Sequence, residues 1–169
     1  VRRAFFAAPN GYYKLPQYHT KQEHLALSQG FVRSILGRIR RLPGAFSADF
    51  GERSHAARQA INTPIQSFSS DLGLIGMMKF YQRMKEKGYL DRIKPMWFIH
   101  DSVMFQCHKK LMPVAMALLK KCMEEASAKY VLAKFGVRIG YPITSDGQVG
   151  LSWASMEEWD DEKGMVKVQ

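Results

Sequence analysis

Cysteine is scarce in this chain: Cys107 and Cys122 are the only two, and they form no C-x-x-C pair. That argues against a disulfide framework or a zinc site of common spacing, and it fits a reducing, intracellular setting. Long apolar runs are also missing. None approaches the ~20 residues of a membrane-spanning helix, and no basic-then-apolar leader opens the sequence, so membrane and secretory roles are disfavoured and a cytoplasmic location is expected. Internal repeats and low-complexity linkers are absent. Acidic residues are few, 15 Asp and Glu against 25 Lys and Arg, for a net charge of +10. Five of them, Glu157, Glu158, Asp160, Asp161 and Glu162, bunch near the C-terminus, which leaves the rest more basic still. A pI near 9.7 makes a polyanion the leading partner, bound through phosphate contacts and counterion release; a solvated basic surface is the bland alternative. A starting methionine is missing too. Val1 to Phe6 reads as the interior of an amphipathic segment without a cap, so the chain is expected to be a piece of something longer.

What is present is a globular composition, 46% hydrophobic and 24% charged over 169 residues, enough for one domain with a real core. Tyr13 to Gln29 carries helical spacing and stops at Gly30, a helix C-cap residue. Two short β-prone runs around Gly37, the second basic, predict a hairpin, and Gly44 to Gly51 reads as a loop. Thr63-Pro64-Ile65-Gln66 has the form of a helix start, with Thr63 as N-cap, Pro64 at the first helical position and Gln66 at the third. From there Ile65, Phe68, Leu72, Ile75 and Met78 keep helical spacing to Lys87-Gly88, while the residues before Pro64 are expected in a separate turn or short helix. Pro95 to Phe98 and Val103 to Cys107 read as two covered strands joined at His100-Asp101. A second long amphipathic helix runs from Leu111 past Tyr130 to Phe135-Gly136, and Val137 to Ile143 with Gln148 to Trp153 suggest another strand pair. Strands and helices around one antiparallel sheet imply an α+β fold.

Within MWFIHDSVMF, residues 96 to 105, a polar triplet interrupts two apolar runs. A carboxylate such as Asp101 at a turn between apolar strands is costly to desolvate unless a cation accompanies it. Mg²⁺ uses one or two protein carboxylates and fills its other positions with waters and phosphates, so Asp101 could be half of such a site. The plain alternative is a turn Asp bonded to its own backbone.

A second stretch alters that balance. Residues 58 to 71, RQAINTPIQSFSSD, resemble the R-x-x-I-N-x-P-I/M-Q-x-x-x-x-D segment of family A (DNA polymerase I-like) DNA polymerases, in which a His-Asp turn follows after a helix and a strand. Gly37-Arg38 with Arg40-Arg41-Leu42-Pro43 resembles that family's G-R-x-R-x-L-P stretch, and Val149-Gly150 with Trp153 its closing V-G-x-x-W. The likeness covers nearly the whole chain, the first thirty residues matching only loosely. It implies the C-terminal palm region of an incomplete, phage-type family A enzyme, with an antiparallel palm sheet, a His-Asp hairpin and two long packing helices. It divides the chain into 1–54, an N-terminal helix, basic hairpin and loop leading from the fingers; 55–156, the palm core; and 157–169, an acidic tail.

The resemblance implies roles as well. Arg58, Asn62 and Gln66 would contact primer-template DNA in the minor groove, where every base pair presents acceptors to such donors. His100 would be a catalytic residue that touches the primer strand beside the active site, and Asp101 would be a catalytic carboxylate and ligand of Mg²⁺ in two-metal nucleotidyl transfer from deoxynucleoside triphosphates. Asp71 would be structural, and Asp146 lies in a turn. Ser102 stands where most cellular members carry a glutamate, so it adds no charge to the site. His-Asp-Ser is also similar to the single-subunit RNA polymerases, against which the N-x-P-I-Q segment argues. The family's partner aspartate and its fingers helix are not found in these 169 residues. The missing N-terminal polymerase portion is therefore an expected partner, and the chain alone is expected to be inactive, in a bacterial or phage-infected cell. A non-catalytic nucleic-acid-binding or assembly module is the rival reading.

Overall fold

Glycine and proline mark several boundaries among the described elements, beginning with Gly30, which closes helix α1, Lys14–Gln29. A computed structural model describes residues 12–160. The sequence expectation for Val1 to Phe6, and for Asp161 and Glu162 of the acidic run, lies outside them. The chain divides into two compact units at Ser69/Ser70.

In the first unit, α1 ends at Gly30, whose φ of 71° is left-handed and whose N–H donates to the Ala26 carbonyl. A Cβ there would lie 2.6 Å from the Phe46 ring, so both backbone and packing require glycine. The expected hairpin follows as β1 (Phe31–Arg33) and β2 (Ile39–Arg41), antiparallel with Val32 opposite Arg40. Every residue of β2 is exposed, so its basic arm faces water. The stretch expected as a loop instead holds a 3₁₀ turn, Pro43–Phe46, and the start of α2, Phe50–Glu86. Ala26, Val32, Leu42, Ala45, Ala56 and Ala60 form this unit's core.

The expected helix start at Thr63 is corrected by the structure: α2 begins thirteen residues earlier at Phe50 and carries Pro64 in its interior. The true N-cap is Asp49, whose Oδ1 accepts from the Glu52 N–H at 2.8 Å, the same polar-x-x-acid or amide pattern as Thr63 and Gln66, fourteen residues upstream. Proline removes one ladder bond and costs about 3 kcal/mol in a helix interior. Here it is outweighed because Ala56, Ala60, Pro64 and Phe68, each four residues apart, are all buried, so helix on both sides of the proline is held by packing.

The second unit starts within α2. Its end is closed by Gly88 at φ 67°, with Gly88 N–H donating to Lys85 O and Tyr89 N–H to Met84 O, a Schellman arrangement. Strands β3 (Ile93–Ile99) and β4 (Ser102–Cys107) pair antiparallel, with a register shift between Pro95 and Trp97. Helical residues then run from Met112 to Phe135 as α3 (Met112–Lys121), a π turn (Cys122–Ala126) and α4 (Ser127–Phe135). The π turn falls where a Cβ on Gly76 would meet Met123 Sδ at 2.6 Å; the widened turn accommodates the close approach to α2. Phe80, Met84, Ile93, Ala115 and Cys122 form this unit's core, with the Phe80 and Phe105 rings edge-to-face at 5.5 Å.

The fold is α+β with small antiparallel sheets, but the single sheet expected from the sequence is three separate two-stranded ladders among the described residues: β1–β2, β3–β4, and β5 (Gln148–Val149) with β6 (Glu157–Glu158). Residues 137 to 143 form no strand; Gly140 and Pro142 interrupt them, and proline cannot donate to a ladder. The partner of β5 comes instead from the acidic run, because pairing uses the backbone and leaves Glu157 and Glu158 in solvent. The arms of the β3–β4 hairpin are also less covered than expected. Ile93 is buried, but Met96 and Trp97 are 49% and 53% exposed, since a two-stranded ladder packs one face and has no flanking strand.

Candidate functional site

Each unit carries one group of the residues singled out by the sequence. In the first, Arg58, Asn62 and Gln66 recur every four residues along α2 and are all exposed, so they form one stripe. The buried residues Ala56, Ala60, Pro64 and Phe68 are offset from them by two positions, about 200° around the helix axis, which puts the polar stripe opposite the core. Arg58 is braced by its Nη1 donating to Ser54 Oγ at 2.8 Å. Asn62 and Gln66 make no side-chain hydrogen bond to another described residue, so their amides are available to an outside partner.

In the second unit, Ile99 pairs with Ser102, leaving His100 and Asp101 as the two-residue loop of the β3–β4 hairpin. Both are exposed. His100 has φ 57° and is the one non-glycine residue with positive φ among those described. A hairpin of this length needs positive φ at its first loop position and ordinarily uses glycine, asparagine or aspartate there. Histidine in that conformation costs about 1–2 kcal/mol, the kind of strain that clusters at functional sites.

Two glycines missed by the sequence reading seat this hairpin. A Cβ on Gly73 would fall 2.7 Å from the Phe98 ring, so the glycine in α2 makes the notch into which β3 places Phe98. Behind it, Gly76 admits Met123. Their spacing of three along one helix face was the available signal. Trp97 lies 6.5 Å from Trp153 between ring centroids, so the hairpin and the V-G-x-x-W stretch meet. Gly150 is fixed by contact, since a Cβ there would collide with the Ser155 carbonyl.

A magnesium site can be tested against these residues. No group of three or more His, Cys, Asp or Glu side chains among the described residues could hold a metal ion. Asp101 is a single exposed carboxylate, suited to be one ligand of a hard cation, but the described residues do not build a two-ion site around it. Nucleophilic cysteine chemistry is disfavoured too. Burial pushes the thiols of Cys107 and Cys122 up, and for Cys122 the nearby Arg83, Lys121 and Lys79 only partly oppose this, so both stay protonated at neutral pH. No described helix is long and apolar enough to cross a membrane.

Against known proteins, the model of DNA polymerase family A matches residues 3–155. DNA polymerase I of Streptococcus pneumoniae serotype 4 is 29% identical over 128 residues, which is 76% of this chain and 13% of that protein. The DNA polymerase of Bacillus phage SP01 is 31% identical over 75% of this chain and 13% of its own length. DNA polymerase I of Caldicellulosiruptor bescii is 27% identical over 84% of this chain and 15% of its own. Among solved structures, the POL domain of Pol1 from M. smegmatis, in complex with DNA primer-template and dNTP, superposes with a TM-score of 0.62 at 24% identity, covering 72% of this chain and 21% of that one. The chain thus spans about one-seventh of the length of these curated relatives.

Proposed function

The chain belongs to DNA polymerase family A, and on that premise we propose that it is the C-terminal palm part of a DNA-directed DNA polymerase, serving DNA-templated nucleotide addition together with a portion outside this sequence. The observation that carries the reading is the exposed stripe of Arg58, Asn62 and Gln66, set opposite the core of α2. Three donors on one helix face can reach the acceptors, purine N3 and pyrimidine O2, that all base pairs offer in the minor groove. They can therefore sense pairing geometry without reading sequence. The exposed arginines of β2, Arg40 and Arg41, add phosphate contacts that strengthen binding without specificity.

His100 is assigned to the primer strand and Asp101 to the metal-binding carboxylates. Asp101 supplies one ligand of a Mg²⁺ site whose remaining ligands come from elsewhere in the polymerase; such ions stabilise charge in phosphoryl transfer when bound. With one carboxylate at the turn, the chain alone is expected to bind primer-template but not to extend it.

The test is equilibrium binding of a fluorescent primer-template to the purified chain, at fixed salt because phosphate contacts make affinity salt-dependent. Losing one amide–base hydrogen bond costs ~1 kcal/mol, so Asn62→Ala or Gln66→Ala should each weaken binding about fivefold. Affinities equal to that of the unaltered chain would sink the assignment. Primer extension by the chain alone would overturn the division of the site. If a segment bearing the missing motifs restores extension with deoxynucleotides, the polymerase reading holds. Binding without extension in any pairing would favour a non-catalytic module, and preference for ribonucleotides the RNA polymerase branch.

A further inference from the structure

The Tyr18 hydroxyl on α1 donates to the backbone carbonyl oxygen of Ile61 on α2 at 2.7 Å, a bond between residues 43 positions apart. Its acceptor immediately precedes Asn62. Two residues beyond Asn62 lies Pro64, which has no N–H to offer the Ala60 carbonyl, so the ladder of α2 is weakened in the turn that carries Asn62. That turn receives from α1 an additional hydrogen bond, at the carbonyl next to the one the proline leaves without a donor.

The contact belongs to a wider face. Tyr18, Gln22 and Ala26 recur every four residues along α1. Ala26 packs in one cluster with Ala56 and Ala60, while Gln22 is 9% exposed and its Oε1 has no hydrogen-bond partner among the described residues. An all-apolar face would bury more cheaply than one carrying a phenol and an unsatisfied amide. Polarity is thus maintained along the face that meets α2, and its one satisfied long-range bond ends beside Asn62. Burial also raises the pKa of the Tyr18 phenol, so the group is a donor throughout the neutral range.

We propose that Tyr18 is a positioning residue: by clamping the Ile61 carbonyl it holds the proline-weakened turn of α2 in the geometry that presents Asn62 and Gln66 to the minor groove of paired DNA. This rests on the reading of Asn62 and Gln66 as DNA contacts. The bond is available before DNA arrives, so the clamp acts by preorganisation, removing an ordering cost that binding would otherwise carry.

The test uses the 169-residue chain and Tyr18→Phe, which keeps the ring and its packing and removes only the donor. Amide hydrogen exchange at residues 65 to 67 should quicken about five- to tenfold, the loss of one hydrogen bond, with residues 77 to 84 unchanged. Affinity for primer-template should fall by a similar factor with a paired primer end and less with a mismatched one, so the matched-to-mismatched ratio falls as well. In an Asn62→Ala, Gln66→Ala background, Tyr18→Phe should have no further effect on binding. Replacing Tyr18 by p-aminophenylalanine, which restores a donor, should recover both exchange and affinity. Unchanged exchange, or unchanged matched affinity and ratio in a chain whose Asn62→Ala variant does bind more weakly, overturns the proposal alone. If the Asn62→Ala and Gln66→Ala variants bind as the unaltered chain does, the DNA reading itself fails, and quickened exchange would then assign Tyr18 a purely structural role.

Discussion

Replacing His100 by glycine separates strain from function at the hairpin. At φ 57° an L side chain crowds the following carbonyl, which costs roughly 1–2 kcal/mol. Glycine removes that cost but loses about 0.5–1 kcal/mol more to unfolded-state freedom than a residue with a side chain. The His100 side chain is exposed and contributes no hydrogen bond to a described residue, so nothing else is lost. The balance is a net gain of ~0.5–1 kcal/mol, or a rise in Tm of about 1–4 °C for a chain of this size. His100→Ala is the control. It retains the strained φ and loses only the imidazole, so its stability should lie within ~0.5 kcal/mol of the unaltered chain. Urea unfolding followed by circular dichroism measures both, given equal slopes. A loss of more than ~1 kcal/mol in either variant would refute the reasoning, because the imidazole would then be holding the turn and its presence would have a structural explanation. If both behave as expected, histidine is retained against stability, and weakened primer-template binding by the same two variants would supply the reason.

Gly73→Ala should lower stability by about 1 kcal/mol. Alanine ordinarily gains ~1 kcal/mol over glycine within a helix, but here the new Cβ meets the Phe98 ring at 2.7 Å, and overpacking costs ~1–3 kcal/mol; a higher Tm would mean that Phe98 is not seated on α2. The raised thiol pKa of Cys122, caused first by burial, sets the sign of a pH effect. Below the ordinary thiol value of 9.0 both folded and unfolded chains hold the proton. As pH rises past it the unfolded chain releases its proton first, so stability falls. Unfolding midpoints at pH 8 and pH 10 should differ more for the unaltered chain than for Cys122→Ala, and an equal difference would remove Cys122 as a cause.

Much of the local structure was legible because its causes are local. Gly30, Gly88 and Gly136 end helices in the left-handed conformation, a demand glycine meets without reference to the rest of the chain. The apolar runs on either side of His100-Asp101 were legible as paired strands, whereas Arg58, Asn62 and Gln66 were singled out by resemblance to a family motif, and the helix that aligns them was expected to begin only at Thr63. What was misread depended on distant partners. Thr63-Pro64-Ile65-Gln66 has every mark of a helix start, yet Pro64 is buried on the same face as Ala56 and Ala60, and that packing carries the helix through it. The strand partner of Gln148–Val149 was expected within residues 137 to 143, yet it is the backbone of Glu157 and Glu158, whose side chains stay in solvent. The Tyr18 bond to Ile61 left no periodic trace, since a single polar contact 43 residues apart has no spacing to detect.

The placement of the candidate residues also determines how cleanly their roles can be measured. Arg58, Asn62 and Gln66 face away from the α2 core, and His100 and Asp101 stand in solvent at a loop, so truncating them removes little buried area and should move stability by no more than ~0.5 kcal/mol, the strained His100 backbone aside. Substitutions at Ala60, Phe80 or Ile93, fully or almost fully buried, would instead unfold a unit and abolish any activity without identifying its cause. The residues that matter for the proposed DNA contact are therefore those whose loss the fold tolerates. An exposed helix stripe without internal amide partners, beside a proline and clamped from a neighbouring helix, contributes little to folding. A histidine held at positive φ subtracts from it. Both are arrangements that folding alone does not require, and the proposed contacts with minor-groove acceptors and a primer strand would account for each at the position where it occurs.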